Sequence, residues 1–150
     1  MSADTDLIKL YSARILALSA DMPRTDRLTA PSATARKRSP LCGSTVTVDV
    51  VVQDGRIVDY GQDVKACALG QAAAAVVGAH VVGLTEAEIQ KGRDELLAML
   101  KHDGPVPAAP FEDLAVLQPA KDYKNRHPSI LLAFDATLDA FAQTRNSETA

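Results

Sequence analysis

The 150 residues suffice for one domain, and with 47% of them hydrophobic the chain can bury an ordinary core, which excludes disorder over most of its length. A formal net charge of -3 at pH 7 offers no general attraction to nucleic acid phosphates, and the single basic run, Arg36-Lys37-Arg38, is too short to form a tract. No apolar stretch is long enough to cross a bilayer and the acidic opening MSADTDLIKL has no signal-peptide pattern, so a cytoplasmic protein with no membrane partner is expected, its 2 cysteines remaining thiols.

Leu7, Leu10, Tyr11, Arg14, Ile15 and Leu18 recur at helical steps, predicting an amphipathic opening helix capped by Asp4 or Thr5 and ending near Met22-Pro23. A polar stretch follows, with room for an edge strand around residues 33–38. Residues 45–52 then alternate, with Val46, Val48, Val50 and Val52 on one face. Asp54-Gly55 favours a tight hairpin turn, so residues 56–60 should return antiparallel, with Val58 and Tyr60 pointing the same way.

From Cys67 the pattern changes to CALGQAAAAVVGAHVV, whose alanines favour helix and whose Gly70 and Gly78 allow close packing against the sheet. Gly83 ends that helix. Thr85 with Glu88 makes a capping-box pattern for a second helix carrying Ile89, Leu96, Leu97 and Leu100 before Gly104-Pro105. Residues 103–110 hold three prolines and read as a loop, followed by a short apolar piece over 111–117. The last helix is expected from near Asn125 to about Thr144, with Leu131, Phe134, Leu138 and Phe141 on one stripe, Pro128 in the first turn and residues 145–150 frayed. No internal repeat interrupts this order. It describes a single α+β domain over residues 1–150: a small antiparallel three-stranded sheet with helices packed on one face.

Chemistry is expected at the cysteines. Cys42 stands in the turn that feeds a strand, and Cys67 opens a helix at the end of the returning strand. Each lies about a dozen residues from the Asp54-Gly55 turn, so hairpin pairing should carry both to one edge of the sheet. Their spacing is not that of a zinc finger. The positive end of the helix and Lys65 both favour a negative charge at Cys67. The same placement also suits two inert packing cysteines. Arg36-Lys37-Arg38 would favour a negative charge on Cys42 or meet an acidic partner, or simply be solvated. His80 and His102 have ordinary helical roles. No nucleophile elbow, phosphate loop or histidine-carboxylate constellation points to a hydrolase or transferase, and the chain is not expected to be an enzyme.

Ser39-Pro40-Leu41-Cys42-Gly43, the strand and hairpin after it, and Cys67 opening a small-residue helix resemble the Asn-Pro-x-Cys-Gly-Asp and Gly-Cys-x-x-x-x-Ala-Ser signatures of the NifU/IscU/SufU iron-sulfur cluster scaffolds. Arg126-His127-Pro128-Ser129-Ile130-Leu131-Leu132-Ala133 is similar to that family's Arg-x-x-Cys-x-x-Leu-Ala. The longer segment before it looks like the SufU branch. The resemblance implies a protein that transiently binds iron, sulfur or a cluster through Cys42 and Cys67, with a cysteine desulfurase and recipient apo-proteins as partners. It also implies a ligand set that this chain alters, because Ser44 stands where the family has aspartate and Ser129 where it has its third cysteine. Serine is a poor ligand for soft metals. The implied cargo is an iron-sulfur cluster or zinc. His127 could replace a lost ligand, with Ser44 and Ser129 as weaker candidates. Alternatively a homodimer could share one [2Fe-2S] cluster between its subunits, which needs four ligands. A metal-free persulfide relay, or an adaptor that regulates the desulfurase, needs neither. A family member that keeps only the fold and a protein-protein surface is the third possibility.

Overall fold

The computed structural model describes residues 12–40 and 43–149, with side chains described up to residue 145. The expected helix positions Leu7, Leu10 and Tyr11, the caps Asp4 and Thr5, and Cys42 all lie outside these residues. Helix α1, Ala13–Ala20, is capped by Ser12, whose hydroxyl accepts from the Ile15 N–H, and it buries Ile15. Three strands follow: β1, Ala33–Arg38; β2, Thr45–Gln53; and β3, Arg56–Lys65. They form one antiparallel sheet in the order β1-β2-β3. Helices α2, Ala68–His80, and α3, Glu86–Lys101, come next. Two 3-10 segments, Glu112–Asp122 and Lys124–Arg126, then lead into α4, His127–Thr149. Among the described residues no helix is long and apolar enough to cross a membrane.

Alternation along β2 gives the sheet two unlike faces. Val46, Val48 and Val50 are buried and, with Ala35, Ile57 and Tyr60, join the helices' Leu69, Leu96, Phe134 and Phe141 in one core. The α+β arrangement with helices on one face is the one the sequence predicts. Within the core Thr137 donates to the Ala133 carbonyl at 2.7 Å, so the 2.8 Å contact with Tyr60 is a donation from the phenol. Burial pushes the Tyr60 phenol far above its ordinary range, and it stays neutral.

The hairpin differs from expectation by one residue. Asp54 and Gly55 both have positive φ, as the tight turn requires. The register slips beside Val51 and Val52, however: Val51 faces Asp59 while Val52 faces Ile57, leaving Val58 as a bulge. Ile57 takes the core position, and Val58 is 44% exposed rather than aligned with Tyr60. Strand β3 also runs to Lys65, beyond the expected end at Tyr60, and α4 continues to Thr149 rather than stopping near Thr144.

The opposite face of the sheet is crossed by residues 21–32. Arg24 accepts from the Gln62 N–H at 2.9 Å and donates through Nε to the Gly78 carbonyl at 3.0 Å. Gly61 leaves room for this crossing, since a Cβ there would collide with the Asp26 carbonyl oxygen. The anchor is Asp49, a fully buried carboxylate on β2. It accepts from Arg27 at 2.6 and 3.0 Å, from the Leu28 N–H at 3.1 Å and from the Thr34 hydroxyl at 2.6 Å. Burial pushes the Asp49 carboxyl up, but these donors outweigh it and hold the group below the ordinary carboxylate range.

Candidate functional site

The β1–β2 connection, the first turn of α2 and the first turn of α4 meet at one corner of the sheet. The connection is closed by two backbone hydrogen bonds, from Ser39 N–H to the Ser44 carbonyl at 2.8 Å and from Gly43 N–H to the Ser39 carbonyl at 3.0 Å. Gly43 has φ of 71°, the left-handed conformation that glycine tolerates best. Thr45 pairs with Lys65. Extending that register by two residues sets Gly43 across from Cys67. The hairpin therefore delivers the backbone flanking position 42 to the edge where Cys67 stands, while Cys42 itself lies outside the described residues.

Cys67 is the residue immediately before α2, in an extended conformation with φ of -65° and ψ of 169°. Its carbonyl accepts from the Gln71 N–H at 2.9 Å, and its side chain makes no capping hydrogen bond. It is half-buried, packed against the edge of the core. One turn later Gly70 lets α2 press directly onto α4: a Cβ there would stand 3.1 Å from the Ser129 carbonyl oxygen and 2.9 Å from the Ala66 Cβ. Both glycines in this helix were expected to pack against the sheet. Gly78 does so, lying over Gln62 of β3, whereas Gly70 serves the contact with α4.

Ser129, one of the first residues of α4, is 1% exposed, and Ser44, just before β2, is 5% exposed. Their hydroxyls are joined by a hydrogen bond of 3.1 Å across 85 residues of sequence. The structure thus brings together Ser44 and Ser129, with Cys67 at the same corner. His127 is held elsewhere. Its ring is buried, with Nε2 2.9 Å from the Ala120 carbonyl and Nδ1 without a hydrogen-bond partner among the described residues. It lines a cavity of about 420 Å³ with Lys101, His102, Lys121 and Lys124, which none of Ser44, Cys67 and Ser129 borders.

This arrangement of elements has solved counterparts, although the chain matches no protein-family model and no curated protein. A NifU-like protein (N-terminal) from Brucella abortus superposes with a TM-score of 0.91 at 42% identity, covering 94% of this chain and 98% of that one. The chain belongs to the NifU-like family. A putative iron-sulfur cluster assembly scaffold protein for the SUF system of Fervidobacterium islandicum matches this NifU-like chain with a TM-score of 0.80. At 19% identity over 89% of this chain and 98% of that one, it shows the shared fold.

The described donors of this NifU-like corner do not make a metal set. Cys67 is the soft ligand among them, the two hydroxyls are bonded to each other, and no group of three or more His, Cys, Asp or Glu among the described residues could hold a metal ion. Asp49 and Arg27, which fix the chain over the back of the sheet, were not singled out from the sequence. The one readable sign was a carboxylate set among the valines of TVTVDVVVQ.

Proposed function

We propose that this chain acts in iron-sulfur cluster assembly as a scaffold-like protein, transiently holding iron, sulfur or a cluster as cargo through Cys42 and Cys67 and passing it to recipient apo-proteins. Membership of the NifU-like family supports this, as does the scaffold role named for the structurally similar Fervidobacterium protein. The observation that carries the reading is the half-buried Cys67 at the start of α2, with no competing side-chain cap, on the rim to which the β2–β3 hairpin leads. A side chain so placed can meet a partner without the fold opening. The cytoplasm is the proposed compartment and a cysteine desulfurase the proposed sulfur donor. With two cysteines per chain, a cluster carried on thiolates alone would bridge two copies. Anaerobic reconstitution with iron and sulfide should give visible absorption on a dimeric species, lost in Cys42→Ala and in Cys67→Ala. Equal absorption in both variants would remove the assignment.

A metal-free sulfur relay is the second reading, favoured by the hydrogen bond between Ser44 and Ser129 where ligands would stand. A cysteine thiolate would attack the outer sulfur of the desulfurase persulfide. A new S–S bond forms as the desulfurase thiolate leaves, so no external oxidant is required. Mass spectrometry after incubation with desulfurase and cysteine would show one added sulfur on Cys42 or Cys67 in metal-free protein. A mass unchanged while the iron-loaded species forms would favour the cluster instead.

A further inference from the structure

Two buried hydroxyls from distant parts of the chain meet at the corner that carries Cys67. Ser44 belongs to the entry of β2 and Ser129 to the first turn of α4, and the 3.1 Å bond between them ties the sheet to the helix. The Gly70 contact on the Ser129 carbonyl ties α2 to the same point. Three elements are thereby joined through neutral groups. We propose that the Ser44–Ser129 hydrogen bond is a metal-independent latch, and that this chain closes its candidate site without a resident metal ion.

The chemistry of the two side chains argues for this. Each hydroxyl is both donor and acceptor, so the bond between them offsets part of the hydration lost on burial, and the two side chains themselves bring no charge to be compensated at a buried position. A carboxylate at position 44 or a thiolate at position 129 would bring negative charge into that space and require a cation to balance it. Two neutral serines remove the requirement. The inference concerns the closure of one chain, and a cluster held between two copies by cysteines alone is compatible with it.

The test compares thermal unfolding of wild type, Ser44→Ala, Ser129→Ala, both alanines together, and Ser44→Asp with Ser129→Cys, each in chelator and with equimolar zinc. Each single alanine should lower Tm by roughly 3–6 °C, and the double variant by less than the sum, because the second substitution finds the bond already broken. Wild-type Tm should be the same in chelator and in zinc, within about 1 °C. The Ser44→Asp/Ser129→Cys variant should melt below wild type in chelator and bind zinc roughly 100-fold more tightly, with its Tm raised by zinc. A wild-type Tm that falls in chelator or rises with zinc would overturn the proposal, as would strict additivity of the two alanines. Sulfur and iron loading at the cysteines, measured on the same samples, reports on the proposed function separately: its loss in a protein indifferent to zinc would end that reading and leave the latch standing.

Discussion

Asp49 is held charged at the centre of β2 by four donors, and its pKa lies below the ordinary value. A carboxyl whose folded pKa is depressed contributes stability in full above its unfolded value, about 3.9, and loses it as pH falls through the folded pKa. Wild-type Tm should therefore fall as pH drops below about 4, more steeply than in Asp49→Asn. At pH 7 that variant should be less stable by about 2–3 kcal/mol, for lost hydrogen bonds to a buried charge. Parallel melting curves of the two proteins between pH 7 and pH 3 would contradict this. Gly70 permits a second test. In Gly70→Ala the new methyl meets the Ser129 carbonyl oxygen and the Ala66 Cβ, so α2 must shift from α4 at a cost of about 1–3 kcal/mol, measurable by denaturant unfolding. Sequence made the individual side chains at the corner legible, through the motif around Ser44, Cys67 and Ser129. It did not reveal the Ser44–Ser129 bond, which depends on the two hydroxyls arriving face to face, nor did it pair Asp49 with Arg27, which lies in a segment without periodicity.

Elements governed by local chemistry were the most legible. Thr85 and Glu88 form both bonds of the capping box, the Thr85 hydroxyl accepting from the Glu88 N–H and the Glu88 carboxylate from the Thr85 N–H. The Thr85 backbone donor and hydroxyl hold that carboxyl below its usual range. Thr85→Ala should destabilise the protein by about 1 kcal/mol, detectable in urea unfolding, and an unchanged midpoint would show that the cap is dispensable. The Asp54-Gly55 turn was equally plain, because two consecutive positive φ values suit few other pairs. The bulge at Val58 was hidden, since Ile57 and Val58 are both β-branched and the pattern permits either to face inward. The segment after the proline-rich loop read only as a short apolar piece. It forms a 3-10 segment with Pro119 inside it, anchored by buried Leu114, Leu117 and Ala120, whose spacing of three suits that tighter helix.

At the scale of the molecule, one helix-covered sheet could be anticipated because strand alternation, the hairpin turn and the alanine-rich helix all agree. The crossing of residues 21–32 over the opposite face could not, since its contacts are made by carbonyls and a charged pair rather than by a hydrophobic pattern. That crossing leaves the sheet with two unlike margins. Arg24 blocks the outer side of β3, while β1, whose described partner is β2 alone, carries Arg36, Lys37 and Arg38 along its exposed half. Edge-to-edge stacking into larger sheets is thus opposed by occupied backbone on one margin and, on the other, by mutual repulsion of the Arg36 and Arg38 charges, Lys37 lying 3.7 Å from the Asp139 carboxylate. The basic run on β1 accordingly opposes self-pairing of that edge by a means that added salt weakens.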